Sequence, residues 1–186
     1  MVHIRNWIVN AHRTFGNWNA PDASGSVMNA QAIITQACSD LPGGMTSKTN
    51  RVLAETAIAL HKRLGLPIYA QGEVACHLLE LGIPVAGKTL RQIDSPEYLD
   101  TGAIARQQFV QCAEYQRKRV VVIAFVPHVW RAARAYKKAG FEVIIPEHLP
   151  ACCWEPDAAQ RQWRRPFYGI PYEFAARHRD LLLGNI

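Results

Sequence analysis

His128 and Arg131 stand three residues apart, directly after the apolar run Val120 to Phe125. A histidine can take or give a proton near neutrality, and an arginine is a fixed cation that grips a phosphate or carboxylate through two parallel hydrogen bonds. Pro127 biases Val126 away from helix, which sets the strand-to-helix turn at Val126 to His128. In a helix opening there, His128 and Arg131 share a face at its N-terminal end, where unpaired N–H groups and the macrodipole favour anions. The chemistry this suggests is acid–base catalysis by His128 on an anion held by Arg131. The plain alternative is a histidine that caps a helix and an arginine paired with Asp100 or Glu97.

Other residues of chemical interest follow the earlier apolar segments. Asp40 and Glu73 have carboxylates suited to holding a ribose, an amino group or a metal, and equally suited to solvent. Ser39 precedes Asp40, and Gly43 with Gly44 would let backbone approach a ligand closely or simply turn the chain. Gln71 and Gly72 lead into Glu73. Arg51 opens a helical segment, where a cation opposes the dipole unless an anion sits beside it. Asp100 and Thr101 are good N-cap types that could also contact a ligand, with Ser95 just upstream; Asp100 joins His128 and Arg131 as a catalytic candidate.

The elements that must position these groups alternate. Residues 2 to 15 read as an N-terminal helix and Gly16 to Asn29 as a polar loop. Gln31 to Ala37 reads as a strand, and Leu53, Ala57, Leu60 and Leu64 recur at helical spacing up to Gly65. Leu66 to Ala70 is a second strand, Val74 to Leu81 a short helix before Gly82, and Ile83 to Ala86 a short third strand. A helix from Thr101 returns to the strand Val120 to Phe125, and a helix through Ala139, stopped by Gly140, leads to the strand Phe141 to Ile145. The tail from Trp154 to Ile186 reads as one or two helices, with Phe174, Leu181 and Leu182 available to pack on the sheet. Trp154, Trp163, Phe167, Tyr168 and Tyr172 would dock that tail or form a stacking lid. The alternation predicts an α/β fold, a Rossmann-like three-layer sandwich with a mostly parallel sheet, in one domain with a core over about 30–150. Ligands of such sheets collect outside the carboxyl ends of the strands, where the candidate residues fall.

In this order the motifs resemble the conserved domain shared by the SanA, ElyC and YdcF proteins. The match runs through Ala37 to Gly44, Arg51, Gln71-Gly72-Glu73, Asp94-Ser95 to Asp100-Thr101, and His128-Val129-Trp130-Arg131-Ala132 followed by Ala139-Gly140-Phe141. It departs where the family carries a Thr and a Ser before the histidine, here Ala124 and Phe125, and an acid-Asn pair, here Ala103 and Ile104. The resemblance implies a Rossmann-like fold with a polar pocket at the strand ends and names S-adenosylmethionine or another nucleotide-like molecule as a candidate ligand.

Composition narrows the classes. The 186 residues are 49% hydrophobic and 19% charged, ordinary for a globular protein, and no apolar run approaches the roughly 20 residues of a membrane-spanning helix. The N-terminus lacks the unbroken apolar stretch of a signal peptide, so a cytoplasmic location is expected. Five cysteines form no zinc-like pairs; Cys76 and Cys112 read as core fillers, and Cys152-Cys153 near His148 matches no standard metal site. The formal charge is +6, and residues 111–150 hold seven Lys or Arg against three acids. Without a helix-turn-helix, zinc finger or RNA-recognition motif, this excess points to a small anionic or nucleotide-like molecule before nucleic acid. No G-x-S-x-G elbow or Walker loop is present. Two readings remain: an enzyme using His128, or a non-catalytic binding domain that senses a nucleotide-like ligand. Monomer and homo-oligomer are both open.

Overall fold

The computed structural model describes residues 24–95, 99–126, 128–184 and 186. The helix expected at 2–15, most of the following loop, Pro127 and the candidate partner Glu97 lie outside the described residues. Five parallel strands, β1 (Ala32–Thr35), β2 (Ile68–Ala70), β3 (Gly87–Lys88), β4 (Arg119–Ile123) and β5 (Glu142–Ile144), form one sheet in the order β3-β2-β1-β4-β5. The helices are α1 (Lys48–Leu64), α2 (Gly72–Glu80), α3 (Thr101–Ala113), α4 (Val129–Ala139) and α5 (Pro166–Leu182). This is a Rossmann-like three-layer α/β arrangement.

Alternation along the strands divides the core. Ile33 of β1 with Val121 and Ile123 of β4 meet Leu53, Ala57, Val74 and Leu78 of α1 and α2. Ala32 and Ile34 with Val120 and Val122 meet Ala105 and Cys112 of α3 and Ala132 and Tyr136 of α4. β1 and β4 are therefore apolar on both faces, as a sheet covered by helices on each side requires. Cys112 is fully buried in that core, whereas Cys76 is half-buried.

Three details differ from the sequence reading. The third strand is Gly87–Lys88 instead of Ile83 to Ala86, because Pro84 cannot donate to a ladder and pairing begins only when Ala86 N–H reaches Ile68 O, at 2.7 Å. β4 stops at Ile123 because its neighbour β1 ends opposite, at Thr35; Ala124 and Phe125 stay buried beyond the ladder. Helix α5 docks through charge: it buries Glu173, Ala176, Arg177 and Asp180 at helical spacing, while Leu182 is 68% exposed. Of the tail aromatics, Trp163 is buried and Tyr172 half-buried, but Phe167 is 80% and Tyr168 38% exposed, so those two do not dock it. Among the described residues no helix is long and apolar enough to cross a membrane.

Candidate functional site

From β1 the chain winds outward to β2 and β3, then crosses back to β4 on the other side of β1. The loops leaving β1 and β4 thus diverge, opening the crevice in which doubly wound sheets take their ligands. A cavity of about 50 Å³ lies there, lined by Gln36, Ala37 and Cys38 after β1, Gln71 and Glu73 after β2, and Phe125, His128 and Arg131 after β4. Thr101, Gln92, Gln160, Trp163 and Tyr172, with Leu99 and Ile104, complete its walls. A wider groove of about 670 Å³ runs along α1 past Thr56 and Arg63 to Glu147 and His148. Among the described residues no unpartnered buried polar atom belongs to a residue lining that groove, whereas two belong to residues lining the small cavity. The small cavity is therefore the candidate site.

His128 is 4% exposed and caps α4 through its backbone rather than its side chain. Its Nδ1 lies 2.9 Å from Glu173 Oε1 of α5. Burial and then the charge of Arg131 lower its pKa against the pull of Glu173, so the imidazole is neutral near pH 7. Because the ionised carboxylate can only accept, the proton is assigned to Nδ1; Arg131 Nη2, 3.1 Å from Nδ1, then donates to the same Glu173 oxygen instead of to the ring, and the Nε2 lone pair is left as the base. Phe125 stacks on the ring at 5.2 Å, and Trp163 meets Phe125 edge-on at 4.9 Å.

Arg131 is held more completely than a ligand clamp would be. It donates to Glu173 Oε1 from Nη2 at 2.7 Å and to Glu173 Oε2 from Nε at 3.2 Å. Its Nη1 donates to Thr101 Oγ1 at 2.8 Å and reaches Asp180 Oδ2 at 3.4 Å. Burial, the largest single influence, would push Glu173 up, but the charges and hydrogen bonds of Arg131 and His128 together draw the carboxyl down to about 2. The alternative pairing of Arg131 with Asp100 does not form; Asp100 Oδ1 accepts from Ala103 N–H at 2.7 Å as the N-cap of α3. Arg177, 4.8 Å from the Trp130 ring centroid, is fully buried beside this network, and burial lowers it to about 10.

The loop after β1 is braced by its own polar residues. Asp40 accepts from Arg91 Nη2 at 2.6 Å and from Asn50 Nδ2 at 3.1 Å. Burial raises its pKa, opposed by those two donors. Ser39 donates to Asp40 O at 2.9 Å and accepts from Gln160 N–H at 2.8 Å. Gly43 and Gly44 have φ of 73° and 76° in a tight turn, with Gly44 O accepting from Arg91 at 2.8 Å. None of Ser39, Asp40, Gly43 and Gly44 lines the cavity.

After β2, Gln71 accepts the Ala37 N–H at 2.9 Å, tying the two loops together. Gly72 meets backbone instead of cavity: a Cβ there would lie 2.7 Å from Arg91 N and 2.8 Å from Thr89 O. Glu73 is 3% exposed and accepts from Gln92 N–H at 2.8 Å through Oε1, while Oε2 has no hydrogen-bond partner among the described residues. Burial raises its pKa; the Gln92 N–H, and Gln71 more weakly, oppose the rise. Gln71 makes no bond of normal geometry to Oε2.

The structure thus gathers His128, Arg131, Thr101, Gln71 and Glu73 around one cavity. Asp100 and Ser95 lie off its lining, and Arg51 is exposed on the first turn of α1. Sequence reasoning missed Glu173, the residue that organises the site. Its signal was the spacing of Glu173, Arg177 and Asp180 on one helical face. Gln36 was missed as well, being read as part of a strand. Cys38 lines the cavity, but burial and a hydrogen bond with Cys152 raise its thiol well above the usual range, the opposite of an activated nucleophile. Among the described residues no three His, Cys, Asp or Glu side chains are grouped to hold a metal ion. Comparison with family models, curated proteins and solved structures returns no match for this chain.

Proposed function

We propose that this chain is an enzyme that moves a proton on a small polar substrate held at the carboxyl ends of β1 and β4. The observation that carries the reading is the His128 Nδ1 to Glu173 Oε1 contact of 2.9 Å, which orients the ring and leaves Nε2 as a base beside a polar cavity. A neutral histidine and a carboxyl pushed upward by burial, Glu73, are environments driven towards acid–base work at one pH. His128 accepts the proton while the Glu73 carboxylate, made more basic by burial, orients the reacting end; group transfer and hydrolysis both use such a pair.

The volume limits the substrate. About 50 Å³ is several-fold below the roughly 300–1,000 Å³ of sites that enclose whole drug-sized ligands. A nucleotide-like ligand, with S-adenosylmethionine as the candidate from the family resemblance, would insert only its reactive end. Arg131, spent on Glu173, Asp180 and Thr101, supplies an anionic substrate with field more than with hydrogen bonds.

The second reading is a non-catalytic binding domain, favoured by the anchoring of His128 and Arg131 to α5. A panel of esters, amides, phosphoesters and methyl donors, run on the parent and His128→Gln, separates the two. Turnover lost in His128→Gln with binding retained supports the enzyme. Binding in both without turnover in the parent leaves the binding domain.

A further inference from the structure

Two buried acceptors on residues that line the cavity have no donor: Glu73 Oε2 and Gln36 Oε1, on residues each 3% exposed. Leaving such groups unpaired is costly, because each has lost its water. They stand after adjacent strands, Gln36 after β1 and Glu73 after β2, so they converge on the crevice from one side. The cavity has room for roughly four waters, or for one small polar group.

Charge decides what kind of group. Among the described residues the one donor of normal geometry to the Glu73 carboxylate is the neutral Gln92 N–H, and Asp40 acts on it as a like charge. The neighbouring cation, Arg91, is bound to Asp40 at 2.6 Å. Across the cavity, Arg131 is bound to Glu173 and Asp180. A carboxylate without its own cation and a carbonyl without a donor call for several N–H groups and a positive charge. An ammonium has three donors and no acceptor; a hydroxyl has one donor and needs donors in return.

Resting on the assignment of this cavity as the ligand site, we propose that it takes the primary ammonium group of its substrate, hydrogen-bonded by Glu73 Oε2 and Gln36 Oε1. The rest of the substrate extends towards the mouth, past the aromatic wall of Trp163 and Tyr172. His128, on the opposite side of the crevice, is then placed to take a proton from the seated end.

The test uses the full chain and small probes at millimolar concentration: ethylamine and 2-aminoethanol against 1,2-ethanediol, acetate and inorganic phosphate. Binding is read by thermal shift and by amide chemical-shift changes in NMR. The amines should bind at Glu73 and Gln36, and the diol, acetate and phosphate should not. Glu73→Gln, which keeps shape and removes charge, should weaken amine binding at least tenfold, and Gln36→Met should weaken it by a similar factor. Ethylamine and 2-aminoethanol binding alike would mark the ammonium alone as the determinant. Preference for the diol or for an anion, equal amine affinity in Glu73→Gln, or no amine binding by a parent that folds normally would each overturn the proposal. His128→Gln separates this from the catalytic reading: amine binding retained in a protein that never turns over leaves the ammonium site standing and removes the enzyme.

Discussion

His128 Nδ1 and Glu173 Oε1 meet at 2.9 Å across 45 residues of sequence, joining the turn after β4 to helix α5. The same carboxylate takes two donors from Arg131, so one residue of α5 satisfies both members of the motif after β4.

Removing that carboxylate leaves Arg131 buried without its partner. Glu173→Gln should cost about 3–5 kcal/mol in urea denaturation, and Arg131→Met a comparable amount. The double variant should lose about 2 kcal/mol less than the sum, because each single change strands the other charge. Strict additivity would mean that the two side chains do not act as a pair.

The pH dependence follows from the directions of the shifts. Glu173 is drawn from its ordinary 4.5 down to about 2, so its contribution is complete above pH 4.5 and lost as pH falls towards 2, about 3 kcal/mol in all. His128 lies below its ordinary 6.5, so the unfolded chain binds its proton more readily and stability declines as pH falls below 6.5. Denaturation midpoints of His128→Gln should lose that second decline while keeping the first. An unchanged profile would show that His128 is not held neutral.

Glu73 has the opposite sign. Raised by burial, it resists ionisation in the folded state and costs stability above its ordinary 4.5. Glu73→Gln, still able to accept the Gln92 N–H, should gain about 1 kcal/mol at pH 7 and flatten the profile above 4.5. A loss of stability at pH 7 would reveal a compensating charge on Glu73.

The two glycine sites should respond unequally. Gly43→Ala adds a Cβ in open space and suffers only the φ of 73°, about 1 kcal/mol. Gly72→Ala drives its Cβ to 2.7 Å from Arg91 N, so it should cost about 3 kcal/mol and loosen the Arg91–Asp40 pair. Urea titrations that rank them in reverse would refute the close packing of Thr89 to Arg91 on α2.

Native thiol labelling offers a direct check of the core. Half-buried Cys76 and Cys153 should react with iodoacetamide well before Cys38, Cys112 and Cys152. Burial pushes Cys112 up to about 12, removing the thiolate that attacks. Peptide mapping after short exposure would expose any early modification of Cys38.

Much of the architecture was written locally. Gly65 and Gly140 carry the positive φ of helix ends, and the run Val120 to Phe125 announced a strand covered on both faces. The strand-end placement of His128 and Glu73 followed from the same periodicity. What could not be read was long-range: the partner of Arg131 lies 42 residues away, and any of several acids had the right chemistry. Helix α5 misled for a physical reason, since its leucines suggested an apolar contact while the buried face was Glu173, Arg177 and Asp180. Charged side chains bury only against complementary charge, and that complement becomes visible only when α4 and α5 are set side by side.

The lateness of that complement has a consequence for biosynthesis. Residues 173 to 180 leave the ribosome after every strand of the sheet, so the layers around β1 and β4 can assemble while Arg131 still has no carboxylate to meet. Docking of α5 is then expected to follow formation of the sheet, and a nascent chain caught before residue 173 should hold a formed sheet with an open, hydrated seat where α5 will settle.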